Sequence, residues 1–187
     1  TGMLDGIIPP DRYDHYLAIV KQETMRLKNL VQTLFDLSTM QQAGVLSKTA
    51  FDLNRLIEDD IAGQESMMKD KSIRLTLDLA RDGRNQMIVI GDREALSRVV
   101  YNVLANAIKF TPHGGRIDVS TSAVMGERHV TVFVEDNGPG IAVDERPYIF
   151  DRFYMVDKSR TDKGAGLGLY IARTILSAHG QRISVEE

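Results

Sequence analysis

The sequence predicts an α/β protein, a two-layer sandwich in which a mixed β-sheet is covered on one face by helices, preceded by one long helix. Apolar residues near the start of the chain follow a heptad pattern. Farther along, amphipathic helical stretches interleave with short stretches in which every second residue is apolar. Two of these short stretches flank Gly126 and should pair as a hairpin, which favours a mixed sheet.

Composition narrows the classes of protein. The chain has 187 residues, a formal net charge of -3 and no cysteine. Because there is no cysteine, disulfides, thiolate zinc sites and cysteine nucleophiles are excluded. The net negative charge gives no electrostatic reason to expect nucleic acid as the main partner. No segment approaches the roughly 20 apolar residues that cross a bilayer, and no signal peptide opens the sequence, so the piece as given should be soluble.

The heptad stretch predicts a helix over residues 11–42. Such a helix would be roughly 45 Å long, so much of its apolar seam would extend beyond a compact neighbour and needs helical partners. We expect a bundle formed by dimerisation; a helix folded back on its own domain is the alternative. Residues 44–51 would be a linker and residues 52–187 a second domain. The seam consists of Tyr13, Leu17, Val20, Thr24, Leu27, Val31, Leu34 and Ser38.

The second domain alternates strands and helices. Asp52 is a suitable N-cap for a helix that reaches about Lys71, and Asp92 for a helix that ends at Phe110. An apolar helix closes the domain over residues 170–178. The strands are predicted at 49–51, 73–79, 87–90, 116–123 and 129–135.

The helix from Asp92 to Phe110 carries the first candidate site. Asn102 and Asn106 lie one turn apart, although asparagine is a mediocre helix former. Their oxygens suit a hard cation such as Mg2+, and Lys109 could meet the phosphates that the cation bridges. Alternatively, the two asparagines are solvated or cap a neighbouring loop. The core-facing stripe of this helix is Leu96, Val99, Val100, Val103, Leu104, Ala107 and Ile108.

A glycine turn follows the last predicted strand. Asp136 stands at the strand end, beside Gly138 and Gly140. Glycines let a ligand approach the backbone, and the carboxylate could accept a hydrogen bond from the exocyclic amine of adenine. The alternative is an ordinary turn in which Asp136 caps its own backbone.

A second glycine cluster, Gly164, Gly166 and Gly168, leads into the last helix. Free N–H groups and the dipole at a helix start favour phosphate. The spacing fits neither a dinucleotide fingerprint nor a P-loop. The segment before it is predicted to be a mobile lid anchored by Phe150 and Phe153. For its cations, Lys158, Arg160 and Lys163, the alternative is an ordinary solvated loop.

Together these residues resemble the boxes of sensor histidine kinases, in the right order across residues 92–180. Asn102-x-x-x-Asn106-Ala-Ile-Lys109-Phe110 is similar to the N box, and Asp136-x-Gly138-x-Gly140 to the first glycine box. Phe150-Asp-Arg-Phe153 and Gly164-x-Gly166-x-Gly168 resemble the F box and the second glycine box. The end of the heptad helix, residues 34–38, is similar to the second helix of the dimerisation and histidine-phosphotransfer domain.

The resemblance implies the Bergerat ATP-binding fold, with ATP and Mg2+ as cofactors, and residues 1–43 as part of a dimeric bundle. Asn106 would coordinate Mg2+ with support from Asn102, and Asn102 and Lys109 would be the catalytic candidates. Asp136 would hold the adenine amine. The nucleotide-binding set so implied is Asn106, Lys109, Phe110, Asp136, Gly138, Gly140, Phe150, Lys158, Arg160, Gly164, Gly166, Leu167 and Gly168.

The phosphoacceptor histidine of the family has no counterpart here. His15 is followed by Tyr16 and is expected to be a surface residue, and the three other histidines fall in the ATP domain. We therefore expect both ends to be trimmed, with the acceptor helix missing at one end and a strand at the other. Lys163 also departs from the family pattern. The piece should bind Mg-ATP without phosphorylating itself.

The resemblance implies that ATP bound here donates its γ-phosphate to a histidine of the missing helix, for relay to a response-regulator aspartate. The intact protein would be a homodimer with this portion in the cytoplasm, and would reach the membrane only through upstream segments. Two alternatives stay open: a serine kinase or ATPase of the same fold, and a non-catalytic, nucleotide-gated interaction module.

Overall fold

The computed structural model describes residues 9, 12–20, 23–24, 46–80, 86–123, 129–156 and 166–186. The chain divides into two compact units, Thr1–Gly44 and Val45–Glu187. In the first unit, residues 13–20 and 23–24 are helical and His15 is exposed, as predicted. The rest of the predicted helix over 11–42 lies outside the described residues. Where the chain is described, its helices are all too short or too polar to span a membrane.

The second unit interleaves strands and helices in nearly the predicted positions. Each strand boundary differs from the prediction by no more than a few residues. The elements in chain order are β1 (Thr49–Asp52), α1 (Leu53–Asp70), β2 (Arg74–Leu79), β3 (Ile88–Gly91), α2 (Arg93–Phe110), β4 (Arg116–Ser122), β5 (Thr131–Asp136) and α3 (Gly168–Ala178).

The described strands form two sheets. In the larger one, β4 lies between β2 and β5, parallel to β2 and antiparallel to β5. This sheet is mixed, as predicted, and β4 and β5 are the predicted antiparallel pair. The short strands β1 and β3 form a separate antiparallel pair, in which Phe51 lies opposite Val89.

The core lies between the larger sheet and the helices α1 and α2. Alternate residues of β4, Ile117 and Val119, are buried, whereas Asp118 and Ser120 between them are only partly covered. Successive side chains of a strand point to opposite faces, so the helices cover one face of the sheet. The buried residues of the cluster are Leu53, Ile57, Ile61, Met68, Met87, Leu104, Ala107, Ile108, Ile117 and Val119.

Both predicted N-caps are confirmed. Asp52 Oδ1 accepts hydrogen bonds from the backbone N–H groups of Asn54 and Met87, which joins the start of α1 to the approach to β3. Asp92 Oδ1 accepts one from Ala95 at the start of α2, while Asp92 Oδ2 accepts one from Ser47 N. The side chain of Asp92 therefore connects the segment that enters this unit with α2.

A polar strip separates part of α1 from α2. Ser97 Oγ donates to Asp60 Oδ1 over 2.8 Å, and burial raises the pKa of Asp60 above its usual value. Gln64, one turn farther along α1, is 1% exposed. Within the described residues, neither polar atom of the Gln64 amide has a hydrogen-bond partner. The contact between the two helices is thus polar where Ser97 meets Asp60.

Candidate functional site

Helix α2 presents Asn102, Asn106 and Phe110 at intervals of four residues, so the three lie along one side of the helix. Both asparagines are half-buried, and 44% of Phe110 is exposed. With a rise of 1.5 Å per residue, Asn102 and Phe110 are separated by about 12 Å along the axis, with Asn106 midway. The asparagines are therefore neither core residues nor fully solvated ones.

The start of α3 lies directly against Asn102. A methyl group placed on Gly168 would be 3.2 Å from Asn102 Oδ1, which is closer than ordinary van der Waals contact. Glycine at this position lets the carboxamide of Asn102 approach the first turn of α3. The predicted second glycine box and the predicted N box thus meet in space at this pair.

The glycine turn after β5 lies against the other end of the same side of α2. A methyl group on Gly138 would be 3.0 Å from the carbonyl oxygen of Phe110. Beside it, Lys109 Nζ lies 4.9 Å from the centroid of the Phe110 ring. The first glycine box therefore meets the last turn of α2, where two of the predicted nucleotide-binding residues stand.

Asp136 caps its own turn, which is the alternative noted from the sequence. Its Oδ1 accepts a hydrogen bond from Gly138 N over 2.8 Å, and the residue is exposed at the end of β5. This bond occupies one carboxylate oxygen and fixes the orientation of the carboxylate. Both interpretations of Asp136 are compatible with this geometry, because the turn that it caps is the one that abuts Phe110.

Gly166 brings the F-box segment against the start of α3. Its φ is 66°, a value that favours glycine, and a methyl group there would be 2.6 Å from the carbonyl oxygen of Tyr154. The Gly166 carbonyl accepts a hydrogen bond from Phe153 N over 3.1 Å. The F box and the second glycine box are therefore joined through their backbones.

Residues 141–156, the connecting segment, run through successive turns between the two glycine boxes. Tyr154 Oη donates a hydrogen bond to the Glu145 carboxylate. This bond raises the pKa of Tyr154 to about 12, because the carboxylate acceptor stabilises the neutral phenol and repels the phenolate. The hydrogen bond joins two residues that are nine positions apart within the segment.

One of the two predicted lid anchors is wrong. Phe150 is half-buried, but 54% of Phe153 is exposed. The backbone of Phe153 has a φ of 64°, in the left-handed region that bulky residues avoid. This conformation directs the N–H of Phe153 to Gly166 and leaves its ring at the surface, where Arg152 Cζ lies 5.2 Å from the ring centroid.

Helix α3 begins without a side-chain cap and without an acidic residue in its first turn. Such a helix start favours an anion, as the glycine cluster predicted. Leu167 stands at the cap position and is buried, with 3% of its surface exposed. Gly140 adopts a φ of 71° in the opposite glycine turn. The predicted residues Lys158, Arg160 and Gly164 lie outside the described residues, as does Lys163.

The donor set suits a metal that takes few protein ligands. Among the described residues, no group of three His, Cys, Asp or Glu side chains could hold a metal ion. The carboxamide oxygen of Asn106 is a hard donor, and Mg2+ commonly takes one or two protein oxygens and completes its shell with phosphate oxygens and water. The residues present therefore fit a nucleotide-bound Mg2+, and not a cation held in a cage of protein ligands.

Two contributors to the site were missed from the sequence. Asn137 Oδ1 accepts a hydrogen bond from Arg116 N over 2.7 Å, which fastens the glycine turn to the start of β4. Its place inside a turn-rich DNGPG sequence was the available signal. Lys71 caps the end of α2 with its ammonium group. No local pattern indicates this contact, because its partners lie 37 to 40 residues away.

Comparison with known proteins adds a family match. Residues 91–187 match the family described as histidine kinase-, DNA gyrase B- and HSP90-like ATPases. Over 180 residues the chain is 33% identical to the signal transduction histidine-protein kinase/phosphatase MprB of Mycolicibacterium smegmatis, with 96% of this chain and 35% of that protein covered. Over 183 residues it is 33% identical to the sensor protein kinase WalK of Staphylococcus saprophyticus, with 96% and 28% covered. The chain thus spans about a third of these relatives.

Solved structures agree with the sequence comparison. Full-length ShkA in complex with AMPPNP superposes with a TM-score of 0.73 at 27% identity, and the match covers 89% of this chain and 34% of that one. Histidine kinase ThkA in complex with the response regulator protein TrrA also gives a TM-score of 0.73, at 25% identity, with 96% of this chain and 49% of that chain covered.

Proposed function

This chain belongs to the family of histidine kinase-, DNA gyrase B- and HSP90-like ATPases, and from that premise we propose that it is the ATP-binding catalytic portion of a sensor histidine kinase. The predicted fold class, the Bergerat-type two-layer sandwich, is confirmed by the histidine kinase structures that superpose on it. In this proposal residues 52–187 form the ATP-binding domain and residues 1–43 part of the dimerisation and phosphotransfer bundle. Residues 44–51 lead into the ATP-binding domain, and their last three residues belong to β1, which pairs with β3 of that domain.

The observation that carries the proposal is that two separate glycine turns lie against one side of α2, and that the F-box segment is bonded to one of them. Gly168 lies against Asn102, Gly138 lies against the carbonyl of Phe110, and Gly166 is bonded to Phe153 of the F box. These contacts also support a proposed direction for the nucleotide. Adenine would lie near Asp136 and Gly138 at the end of α2, and the phosphates would extend towards Asn106, Asn102 and the start of α3.

The residues around the phosphates would act by position and charge. The Asn106 oxygen would hold Mg2+, which when bound would neutralise charge on the phosphate oxygens. Lys109 would add a cation beside the phosphates, and the N–H groups at the start of α3 would donate hydrogen bonds to them. Phosphoryl transfer needs mainly such positioning and charge stabilisation, so this set of groups is sufficient without a covalent intermediate on the protein.

The γ-phosphate would pass to a histidine on a bundle helix that is not part of this chain, and from there to an aspartate of a response-regulator receiver domain. The ThkA neighbour, which is in complex with a response regulator protein, supports this class of partner. In the intact protein we propose a homodimer through the bundle, with this portion in the cytoplasm and any membrane attachment supplied by upstream segments.

Calorimetry tests the nucleotide site. The chain should bind ATP in the presence of Mg2+, and Asn106→Ala should weaken that binding at least tenfold, or by about 1.4 kcal/mol. Gln181→Ala removes an exposed carboxamide after α3 and serves as the matched control. Equal affinities of wild type and Asn106→Ala would refute the assigned role of Asn106, and no binding by wild type would refute the site itself.

A transfer assay tests the reaction. When this chain and γ-labelled ATP are mixed with a bundle domain that contains a phosphoacceptor histidine, label should appear on that domain, as an acid-labile and alkali-stable phosphoramidate. The chain alone should stay unlabelled. Nucleotide binding without transfer to any cognate bundle domain would instead favour the non-catalytic module.

A further inference from the structure

We propose that Lys71 is a positioning residue for the nucleotide site, a role that rests on the proposed function of that site. Lys71 follows α1 and belongs to none of the boxes. Its Nζ donates hydrogen bonds to the carbonyl oxygens of Ile108 at 2.7 Å, Lys109 at 2.8 Å and Thr111 at 2.9 Å. One ammonium group thus uses all three of its N–H donors on a single turn of backbone.

That turn is the one in which the nucleotide-binding residues Lys109 and Phe110 stand. The last four carbonyls of a helix lack partners within the helix. In α2, Ala107 O accepts from Thr111 N and from Thr111 Oγ1, at 2.9 and 2.7 Å. Lys71 satisfies the next two, on Ile108 and Lys109. The fourth, on Phe110, is the carbonyl that Gly138 approaches. Lys71 therefore fixes the backbone on which the glycine turn rests.

The backbone of Lys71 strengthens the same connection. Its carbonyl accepts a hydrogen bond from Gly114 N over 2.8 Å, in the turn that follows α2. The side chain holds the last turn of α2 and the carbonyl holds the following turn, so one residue spans residues 108–114. A shift of Lys71 would move the Phe110 carbonyl relative to Gly138, and with it the adenine end of the site.

Charge gives Lys71 a second effect on a nucleotide. The C-terminal end of a helix carries a partial negative charge, which would repel phosphates that lie along α2 near Asn106 and Lys109. An ammonium group at the last carbonyls opposes that charge. Arginine would keep the charge and donate in a different geometry, whereas methionine would keep the length of the side chain and lose both charge and donors.

The test compares Lys71→Met, Lys71→Arg and the control Lys69→Met. Lys69 lies on the same helix end but pairs with Glu65 at the surface, 71% exposed. Well below each melting temperature, Lys71→Met should bind Mg-ATP about tenfold more weakly than wild type, the size of effect typical of groups that orient a ligand-binding residue. Lys71→Arg, which keeps the charge and N–H donors in a different geometry, should bind more tightly than Lys71→Met and more weakly than wild type. Lys69→Met should bind like wild type.

A spectroscopic measurement separates positioning from stabilisation. In the nucleotide-free protein, the amide NMR signal of Gly138 should shift in Lys71→Met, whereas the signal of Gly63, which lies in open space on α1, should not. If Lys71→Met does not fold, Lys71→Gln replaces it in both measurements. A lower melting temperature with unchanged affinity and an unchanged Gly138 signal would overturn the proposal. If wild type fails to bind ATP, the proposed function fails, and the Gly138 signal alone decides the role of Lys71.

Discussion

The two sides of the candidate site are held in different ways. The α2 end, residues 106–115, is fastened by contacts between elements far apart in the sequence, namely the ammonium of Lys71 and the bond from Arg74 N to Gly115 O. Thr111, in the same end, is 1% exposed. The connecting segment, residues 141–156, relies mainly on local turns and on the bond between Tyr154 and Glu145. Its contacts with the region of α3 include the bond from Phe153 N to Gly166 O and a surface ion pair between Asp151 and Arg173. It also exposes large apolar side chains, namely Val143, Tyr148, Phe153 and Val156.

This difference indicates that one side of the site is held rigidly and the other can rearrange. Side chains on helices and strands that pack against a core are positioned more precisely than those on turns. The α2 end should therefore keep its geometry whether or not nucleotide is present. The connecting segment has fewer buried contacts and can rearrange at a smaller cost. Substitutions should therefore affect global stability on one side of the site and local conformation on the other.

The largest effect is expected at the base of the α2 end. Leu104 is 1% exposed and packs in the core beneath the helix side that carries Asn102 and Asn106. Leu104→Ala should lower the free energy of unfolding by about 3–4 kcal/mol, because it removes buried methyl groups and leaves a cavity. Leu77→Ala, at a leucine that is 42% exposed, should cost less than about 1 kcal/mol. Urea denaturation measures both, and similar losses would show that α2 is not anchored through this core.

A smaller loss is expected where the connecting segment meets α3. Gly166→Ala places a methyl group 2.6 Å from the Tyr154 carbonyl oxygen and leaves alanine at a φ of 66°. The expected cost is about 2–3 kcal/mol, from strain and overpacking together. Gly140→Ala has a φ of 71° but nothing within 4 Å, so it should cost only about 1 kcal/mol. If thermal unfolding shows that Gly166→Ala and Gly140→Ala lose equal stability, the connecting segment shifts to accommodate the extra methyl group at little energetic cost.

The same contrast between local and long-range contacts explains which features the sequence could predict. The N-caps Asp52 and Asp92, the apolar stripe of α2 and the β4–β5 pair depend on neighbours within a few residues or on simple periodicity, so pattern alone located them. The four boxes were recognisable because each is contiguous. That Gly168 meets Asn102 and Gly138 meets Phe110 depends on the packing of α3 and β5 around α2, which only the resemblance implied.

Three features of the second unit had no local sequence pattern that could predict them. The partners of Lys71 come from the far end of another helix, so neither spacing nor composition indicates them. His179 is similar: its Nε2 accepts from Asp92 N over 3.0 Å, across 87 residues of sequence. Phe153 was expected to be an anchor of the lid. Its left-handed backbone, set by the bond to Gly166, turned the ring outwards instead. The roles of the site residues in binding ATP stay predictions.

The strain at Phe153 gives the third test. A non-glycine residue in the left-handed region costs roughly 1–2 kcal/mol, which glycine avoids. Phe153→Gly and Phe153→Ala both remove the exposed ring, and they differ in whether strain at a φ of 64° remains. The glycine variant should be more stable than the alanine variant by about 1 kcal/mol, less than the strain itself because glycine also gains entropy in the unfolded chain. A more stable alanine variant in chemical denaturation would mean that the segment relaxes to an unstrained backbone.

The smallest effect concerns the bond between Tyr154 and Glu145, which closes the connecting segment on itself. The Tyr154 pKa of about 12 lies above the usual value of 10.0, so the folded protein holds the phenolic proton more tightly than the unfolded chain does. The contribution of this bond to stability is therefore fully present below pH 10 and is lost as the pH rises towards about 12. The difference in melting temperature between wild type and Tyr154→Phe should stay constant up to about pH 9 and shrink above pH 10.

Ultraviolet titration checks the assignment independently. The chain contains 6 tyrosines, so the phenolate absorbance of wild type minus that of Tyr154→Phe isolates one of them. Its midpoint should lie near 12 in wild type and move down towards 10.0 in Glu145→Gln, because the amide lacks the negative charge that opposes ionisation. A midpoint already at the usual value in wild type would mean that the bond is not maintained in solution. The connecting segment would then be even less constrained than its turns suggest, and its contrast with the α2 end would be sharper.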